Sequence, residues 1–393
     1  MAGQAAASRN VMANPGAWLG VLGGGQLGRM FCQSAQAMGY RVMVLDPAQS
    51  SPAGMVADAH LCAAYDDAAA LDQLAAQCVA VTTEFENVPA DSLRRLAASC
   101  RTTPSGDAVA ITQDRVVEKS WLQAAQVPVA PHAAVLQMAD LDTCPDALFP
   151  GILKTARLGY DGKGQVRVQT RAQAHAAFKA LKGVACVLEA LQPLDYEISV
   201  VVARGLDGLT VTYPPSRNSH HDGILALSVV DGSVPAAVAD QARQYALRVA
   251  DHLDYHGILC VEFFILQEGS VLANEIAPRP HNSGHYTQDG CLVSQFEQQA
   301  RIMAGLPLGV TDTLCPVAML NLLGNLWFDA QGAQREPDWA GVLEIPGTRL
   351  HLYAKTEARP GRKMGHINIV GATASELQAR IGRVCSVLGL PDA

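Results

Sequence analysis

The sequence Asn-Glu-Ile-Ala-Pro-Arg-Pro-His-Asn-Ser-Gly-His, residues 274–285, is the most informative stretch of this chain. It follows an apolar segment and places a carboxylate, a guanidinium, two imidazoles and two amides within twelve positions, whereas charged residues make up only 17% of the whole sequence. Polar groups beside core sequence are costly to desolvate, so a cluster of this density usually meets a ligand or a metal. The alternative is a solvated loop.

The segment before this cluster is predicted to form a β-hairpin. Residues 260–266 and 271–276 are rich in strand-forming side chains, and residues 267–270 (Gln-Glu-Gly-Ser) are typical of a turn. A turn centred there places Glu262 opposite Glu275, on the same face of the sheet. Adjacent carboxylates repel unless a cation lies between them, so we predict that this pair binds Mg²⁺ or Mn²⁺, which prefer oxygen ligands. A like-charge pair on a solvated face is the alternative.

Composition limits the class of protein. With 393 residues and 49% hydrophobic content, the chain is long enough for two or three globular domains. No apolar run approaches the ~20 residues that cross a bilayer, and residues 1–15 lack the pattern of a signal peptide, so we expect a disordered N-terminal extension and no membrane contact. Ten cysteines without a Cys-x-x-Cys pair favour reduced thiols in the cytoplasm. A net charge of −8 argues against a nucleic-acid partner.

The chain opens with a pattern typical of nucleotide-binding domains. A short apolar strand at 18–22 precedes Gly23-Gly24-Gly25-Gln26-Leu27-Gly28 and a predicted helix, and a second strand at 41–45 ends at Asp46. This G-x-G-x-x-G pattern favours an NAD-dependent dehydrogenase, although the helix N-terminus could equally receive a substrate phosphate or carboxylate. A third strand at 79–83 leads into Glu84, where folds of this type bind ligands, unless this segment is an exposed loop.

The middle of the chain indicates phosphate binding. A short strand at 152–154 ends in Lys154, and residues 159–165 (Gly-Tyr-Asp-Gly-Lys-Gly-Gln) follow as a flexible loop whose backbone N–H groups can surround phosphate oxygens. The loop lacks the Gly-Lys-Ser/Thr ending of a P-loop. The alternatives are an ordinary glycine-rich hairpin and a surface lysine whose ammonium reaches the solvent. Further strands are predicted at 186–189 and from Glu197 onward.

Taken in order, these motifs resemble the 5-(carboxyamino)imidazole ribonucleotide synthetases, a family of ATP-grasp carboxylate–amine ligases. The resemblance spans nearly the whole chain, and its last two motifs are much more specific than a glycine loop. The matching segments are GGGQLGRM at 23–30, GYDGKGQ at 159–165, HHDGI at 220–224, APRPHNSGH at 277–285 and RPGRKMGH at 359–366.

The resemblance implies a fold of mixed α/β and α+β class. After the extension at 1–15, it implies a Rossmann-like pre-ATP-grasp domain at 16–113, a two-lobed ATP-grasp domain at 114–312 and a small C-terminal β-rich domain at 313–393. It also implies that ATP, bicarbonate and 5-aminoimidazole ribonucleotide are converted into 5-(carboxyamino)imidazole ribonucleotide, ADP and phosphate, by way of carboxyphosphate. Members of the family are commonly homodimers.

The resemblance also implies a site for ATP and magnesium. Arg115, Lys154 and the loop Gly159, Tyr160, Asp161, Gly162, Lys163, Gly164 and Gln165 would hold the phosphates. Glu189, Ala190, Leu191 and Gln192 would line the adenine edge, and Glu197 would bind the ribose hydroxyls. His220 and Asn274 would complete the ATP site, with Glu262 and Glu275 on the metal. Many ATP-grasp ligases have an asparagine two positions after the second metal carboxylate, but this chain has Ala277, so a third protein ligand is in doubt.

The ribonucleotide carries its own phosphate and requires a second anion site. Lys355, Arg359 and Arg362, with Lys363, offer cations there, Lys355 and Arg362 being the first candidates; a solvated basic turn is the alternative. We further expect Gln26 and Glu84 to contact this substrate and Tyr160 to orient it. Asp161 is the candidate proton acceptor, and Arg279 and His281 are expected to hold bicarbonate or its phosphorylated form.

Rival functions remain open from the sequence. A nicotinamide-dependent oxidoreductase would use residues 23–28 and Asp46, but it leaves the clusters at 262–285 and 355–366 without a role. A nucleotide-sensing protein without turnover is a second class, and the full set of acidic and basic groups argues against it. Within the ATP-grasp ligases, a formate-using or biotin-using enzyme is the nearest alternative.

Overall fold

The computed structural model describes residues 12–159 and 163–391. The predictions made for Tyr160, Asp161 and Gly162 therefore lie outside the described residues, as do those for residues 1–11. In the described ranges, no helix combines the length and the apolar character needed to cross a membrane.

The N-terminal part forms a parallel sheet flanked by helices. Its strands are β1 (Trp18–Leu22), β2 (Arg41–Leu45), β3 (Ala59–Leu61), β4 (Cys78–Thr83) and β5 (Arg101–Thr102), and its helices are α1 (Gln26–Ala37), α2 (Ala68–Gln77), α3 (Ala90–Ala97) and α4 (Gly106–Thr112). The strand order is β3-β2-β1-β4-β5, with parallel pairing throughout. Strands covered on both faces are continuous apolar runs, and β1 is buried from Leu19 onward. The three strands predicted here are confirmed.

The middle part forms a small antiparallel sheet, called here the middle sheet. Its strands are β6 (His132–Val135), β7 (Gly151–Thr155), β8 (Gln165–Val168) and β9 (Cys186–Ala190), in the order β6-β9-β7-β8, and its helices are α5 (Arg115–Ala124), α6 (Asp140–Thr143) and α7 (Arg171–Ala180). The Asp114 carboxylate accepts hydrogen bonds from the first backbone amides of α5, which fixes where this helix begins. The glycine-rich loop joins β7 to β8 as a hairpin connection, with Lys154 opposite Gln165. A hairpin and a phosphate-binding loop are therefore compatible here.

The rest of the chain builds one large sheet. Its strands are β10 (Leu194–Arg204), β11 (Thr210–Thr212), β12 (Ser216–His221), β13 (Ile224–Val230), β14 (Gly257–Leu266), β15 (Val271–Ala277), β16 (Val317–Leu323), β17 (Thr348–Leu352) and β18 (Lys363–Val370). The helices are α8 (Ala236–His252), α9 (Thr287–Gly290), α10 (Gln295–Ala304), α11 (Trp339–Leu343) and α12 (Ala374–Leu388). The strand order is β15-β14-β10-β12-β13-β16-β18-β17, and β11 pairs with β10.

The predicted boundary between residues 312 and 313 does not interrupt this sheet. Strand β13 pairs with β16 through Leu227 and Leu320, so the C-terminal strands extend the sheet of the preceding domain. An unpaired β13 would expose a row of backbone donors and acceptors, and β16 satisfies them. The C-terminal part keeps an apolar core of its own, in which Ile367 packs against Ile381 of α12. It is thus a separate core on a shared sheet.

The hairpin of β14 and β15 contains the predicted pair of glutamates. Glu262 lies opposite Glu275, as expected. The position of the turn, from which this pairing was predicted, does not by itself produce it. Near the turn the register places Phe263 opposite Ala273, and it shifts between Glu262 and Phe263. Asn274 is the extra residue on β15, so a β-bulge aligns the two carboxylates.

The N-terminal extension is bound to the domain where the structure describes it. The backbone N–H of Ala13 donates to the carbonyl of Ala304 at 2.8 Å, and the Tyr40 hydroxyl donates to the carbonyl of Ala13 at 2.9 Å. Ala13 also packs against the apolar cluster that contains Phe296 and Ala304 of α10. The disordered extension at 1–15 stays a prediction.

A buried histidine cluster connects the C-terminal strands to the segment that follows Arg279. The His366 ring stacks on His351 with centroids 4.5 Å apart and contacts His285 at 4.8 Å. Tyr353 shares a 2.8 Å hydrogen bond with Nδ1 of His366. His285 and His366 are fully buried, and burial together with neighbouring cationic groups lowers the pKa of each well below its usual value. Both rings are therefore neutral near pH 7.

Acidification is expected to weaken the fold through these two rings. Their folded-state pKa values lie below the value of about 6.5 in the unfolded chain, so the unfolded state binds more protons as the pH falls and stability is lost below about pH 6.5. Between about pH 7.5 and pH 5.5, each neutral ring should lower the free energy of unfolding by roughly 1 kcal/mol. The His366→Gln variant should therefore lose less stability than the wild type over this range, measured by urea unfolding.

The matched control for this prediction is His221→Gln, because the His221 side chain is exposed. Its pH dependence should equal that of the wild type. Equal losses in the wild type and in His366→Gln would contradict the assignment of a neutral, buried ring.

Candidate active site

A cavity of about 550 Å³ lies between the middle sheet, the large sheet and the loop after β4. Most of the predicted ATP, metal and bicarbonate residues that the structure describes line this one cavity: Arg115, Lys154, Gly159, Gln165, Glu189, Ala190, Leu191, Gln192, Glu197, His220, Glu262, Asn274, Glu275, Arg279 and His281. The other described candidates lie outside its lining: Gln26, Glu84, Lys163, Gly164, Lys355, Arg359 and Arg362.

Lys154 is held in place by a buried carboxylate. Its ammonium donates to Oε2 of Glu189 at 2.9 Å, and the ammonium of Lys119 lies 3.4 Å from Oε1 of the same group. Burial opposes the ionisation of Glu189, but the two lysines outweigh it and lower the pKa of this carboxyl to about 2. The carboxylate of Glu189 therefore acts as counter-ion to the two ammonium groups, a role that the prediction of an adenine edge did not anticipate.

Two side chains of helix α5 form hydrogen bonds with the backbone at the bulge of β15. Lys119 donates to the carbonyl of Asn274 at 3.0 Å, and Oε1 of Glu118 accepts from the backbone N–H of Ile276 at 2.7 Å. Between these contacts, the guanidinium of Arg115 lies 2.8 Å from the carboxylate of Glu275. Burial raises the pKa of Glu118 to about 8 despite the nearby cations. A single helix thus fixes the backbone on both sides of a predicted metal ligand.

The two facing carboxylates each have a protein cation beside them. Oε1 of Glu262 lies 2.8 Å from Nε2 of His281, and Glu275 pairs with Arg115. Burial opposes the charge on His281, but its neighbours, Glu262 among them, raise its pKa to about 10. The argument that repulsion within the pair demands a metal ion is therefore wrong as stated, because these two cations already compensate the charges. The oxygen ligands nevertheless remain suited to Mg²⁺.

Glu197 and His220 lie beside Glu262 on the same face of the large sheet. Nδ1 of His220 is 3.5 Å from Oε2 of Glu197. Burial and the charges of Glu262 and Glu275 raise the pKa of Glu197 to about 7. Burial also lowers the pKa of His220, so this imidazole is neutral at pH 7. A carboxylate that resists ionisation indicates excess negative charge at this end of the cavity.

Arg279 forms an ion pair with a carboxylate in the loop after β4. Its Nε and its NH2 group each lie 2.6 Å from Oε2 of Glu86, in the loop after β4. The ion pair outweighs the effect of burial and lowers the pKa of Glu86 to about 2. Arg279 and His281 are thus both on the cavity wall, and each is paired with a carboxylate.

Three backbone amides of the N-terminal glycine loop are bound to protein carboxylates. The backbone N–H of Gly24 donates to Oδ2 of Asp46 at 2.7 Å, and those of Gly25 and Gly28 donate to the carboxylate of Glu84 at 2.9 and 3.2 Å. Burial raises the pKa of Glu84 against the effect of these amides. The acid expected to bind a ribose and the helix N-terminus expected to bind a pyrophosphate are therefore both occupied by protein groups, which argues against the oxidoreductase.

The basic cluster lies in the loop between β17 and β18 and contains an acid that the sequence analysis overlooked. Arg359 forms an ion pair with Glu357, and Arg362 donates to the carbonyl of Glu357 at 2.7 Å. Lys355 donates to the carbonyl of Lys363 at 2.7 Å, and Lys363 lines the cavity. The cluster is thus adjacent to the cavity but partly neutralised.

Sequence reasoning missed several lining residues. Phe264, Ile152 and Leu225 provide apolar wall suited to a base ring. Phe264 could have been found, because it lies two positions from Glu262 and side chains at that spacing share a face of a strand. Glu118 gave no such signal, since its partner Ile276 lies 158 positions away.

Comparison with known proteins agrees with this geometry. Family models match in chain order: the ribonucleotide synthetase preATP-grasp domain at 17–113, the ATP-grasp domain at 120–296 and the phosphoribosylaminoimidazole carboxylase C-terminal domain at 317–380. The N5-carboxyaminoimidazole ribonucleotide synthase of Bacillus subtilis is 42% identical, over 91% of this chain and 92% of that protein. The Pseudomonas aeruginosa protein of the same name is 41% identical, over 93% of this chain and 98% of its own length.

The chain belongs to the N5-carboxyaminoimidazole ribonucleotide synthase family. Solved members have the same fold. The ADP complex of one such synthetase superposes with a TM-score of 0.87 at 39% identity, covering 96% of this chain and 97% of that one. The Aspergillus clavatus enzyme, solved with ADP and 5-aminoimidazole ribonucleotide, has a TM-score of 0.86 at 32% identity, covering 95% and 99%. The predicted fold class is confirmed, and the chain is an ATP-grasp ligase of this family.

Loss of the Lys119 ammonium should disturb Lys154 at a distance. In Lys119→Met, Glu189 keeps one cation and the carbonyl of Asn274 loses its donor, so we expect the unfolding free energy to fall by about 3 kcal/mol. We also expect the KM for ATP to rise at least about tenfold, because Glu189, the counter-ion of Lys154, is no longer held in place by Lys119. Thermal unfolding and steady-state kinetics measure the two effects.

The matched control is Lys179→Met, which removes an exposed lysine from α7. It should change neither quantity. Wild-type stability and KM in Lys119→Met would show that Lys154 does not depend on this contact.

Proposed function

We infer that the chain carboxylates the exocyclic amine of 5-aminoimidazole ribonucleotide with ATP and bicarbonate, forming 5-(carboxyamino)imidazole ribonucleotide, ADP and phosphate in de novo purine biosynthesis. Family membership over nine-tenths of the chain supports this substrate set. The observation that carries the proposal is the common cavity, which unites cations for a triphosphate, such as Lys154, with cations for a one-carbon acid, Arg279 and His281.

Activation of bicarbonate is the first task of the site. A bicarbonate oxygen attacks the γ-phosphorus of ATP, which gives carboxyphosphate and ADP. Little covalent chemistry falls to the protein in such a transfer, so positioning and charge neutralisation matter most. Lys154, fixed by Glu189, and Arg115, fixed by Glu275, are the described cations placed for the phosphates. Arg279 and His281 would hold the bicarbonate.

Magnesium belongs to this proposal. Glu262 and Glu275 are cross-strand neighbours whose carboxylate oxygens fit a hard divalent cation. Bound there, Mg²⁺ would neutralise charge on the transferring phosphoryl group. The residues of this chain supply the rest: Arg115 and His281 already lie beside these carboxylates and limit the charge that must be compensated.

The second step joins carbon to nitrogen. The amine attacks carboxyphosphate, or CO₂ released from it within the closed site, and phosphate leaves. We propose that Lys355, Arg359 and Arg362 bind the ribonucleotide phosphate, with Gln26 and Glu84 on the same substrate. Burial raises the pKa of Glu84, and the charge of the nearby Lys355 partly offsets this rise, which supports a common site. Tyr160 and Asp161, proposed to orient the substrate and accept the proton, lie outside the described residues.

The assembly and location of the enzyme remain part of the proposal. A homodimer in the cytoplasm is what the family resemblance implies. Light scattering coupled to size exclusion measures the mass, and 41.5 kDa would indicate a monomer.

Phosphate release tests the function directly. Rapid release should require ATP, bicarbonate and 5-aminoimidazole ribonucleotide together, and withholding the ribonucleotide or the bicarbonate should abolish most of it. Formate in place of bicarbonate should not restore it. Undiminished release without bicarbonate would exclude the proposed reaction.

Glu275→Ala should abolish bicarbonate-dependent ATP hydrolysis while the fold is retained, because the variant removes a predicted metal ligand and frees Arg115. A loss of at least about 10²-fold is expected from the removal of one such electrostatic group. The matched control is Glu268→Ala, which removes an exposed carboxylate from the turn of the same hairpin and should have no effect. Full activity in Glu275→Ala would remove the metal assignment.

A further inference from the structure

Three strands of the large sheet bring a nitrogen donor and two carboxylates to one face. Glu197 on β10 lies opposite Asn218 on β12 and opposite Phe264 on β14. His220 is two residues beyond Asn218, and Glu262 is two residues before Phe264. Because side chains alternate along a strand, all three donors project to the face on which Glu197 lies.

The side chains converge as this register requires. One ligand atom from each of Glu197, His220 and Glu262 lies within 4.8 Å of the other two. The contact between Glu262 and His281 is made by Oε1 of this carboxylate. Glu275 is not a member of this group, which therefore differs from the predicted magnesium pair and shares only Glu262 with it.

The donor set selects the class of ion. Mg²⁺ prefers ligands that are all oxygen, whereas an imidazole nitrogen with two carboxylates suits first-row transition metals such as Zn²⁺ and Co²⁺.

We propose that Glu197, His220 and Glu262 bind one Zn²⁺-class ion when no nucleotide is present, and that this ion competes with ATP. The competition rests on the proposed function, in which Glu197 and His220 contact the nucleotide; the binding of the ion does not. Free Zn²⁺ would then inhibit the enzyme because it occupies side chains that ATP needs.

Cobalt absorption tests the binding without substrates. When Co²⁺ is titrated into the metal-free wild type, a visible absorption band typical of nitrogen and oxygen ligands should appear. Its intensity should stop rising at one equivalent of Co²⁺. Loss of a group that only supports a metal ligand typically costs about 10–100-fold in affinity, so His220→Gln should weaken binding at least about tenfold. His221→Gln is the matched control, since it removes the adjacent but exposed imidazole and should bind Co²⁺ as the wild type does.

Three results of the cobalt titration would contradict the proposed ion site. Absence of a band in the wild type at millimolar Co²⁺, an unchanged affinity in His220→Gln, or an equal loss in His221→Gln would each overturn the site. Circular dichroism and thermal unfolding establish that the variants are folded, and Glu197→Gln gives a second, independent removal of a donor.

Kinetics test the competition. With free Zn²⁺ fixed by a metal buffer, the KM for Mg·ATP should rise with zinc while kcat stays constant. A fall in kcat at constant KM would overturn the shared site. An enzyme that shows no turnover even without zinc would refute the proposed function instead, and the cobalt result would still decide whether the ion binds.

Discussion

The site depends on the hydrogen bonds that helix α5 makes to the bulge of β15. A bulge leaves backbone groups without ladder partners, and such groups are costly when buried. Lys119 satisfies the carbonyl of Asn274, and Glu118 satisfies the N–H of Ile276. Glu275, between them, is therefore aligned with Glu262 by a defect that the helix stabilises. Because Lys119 also reaches Glu189, the same helix ties the bulge to Lys154 across the cavity.

The shared sheet explains how distant parts of the chain meet at one cavity. Strands β14 and β10 carry Glu262 and Glu197, and the sheet continues through β13 into the C-terminal strands. The loop that bears Lys355 is thereby fixed relative to the facing carboxylates of Glu262 and Glu275, and the buried contact between His285 and His366 strengthens this connection. A continuous sheet is a rigid way to hold groups that must act on one substrate.

The sequence predicted local structure well and long-range partners poorly. The hairpin around Glu262 and Glu275, the strand ending in Lys154 and the opening Rossmann-like strands follow from periodicity and turn residues, which act over a few positions. The resemblance added the domain content. The Glu84 carboxylate on the amides of Gly25 and Gly28 could not be predicted, because it joins positions 59 and 56 residues apart. The charge balance of the Glu262 and Glu275 pair was likewise misjudged, because the sequence does not show that His281 lies beside Glu262.

Three carboxylates of the ligand-free cavity are each paired with a protein cation, and this shapes how substrates must bind. Glu262 pairs with His281, Glu275 with Arg115, and Glu86 with Arg279. Such pairing keeps buried charges tolerable without ligands, because an isolated buried charge would cost several kcal/mol. In the proposed reaction, a triphosphate at Arg115 would draw this guanidinium away from Glu275 and leave that carboxylate for a divalent metal. The anionic substrate and the metal cation would then favour each other's binding.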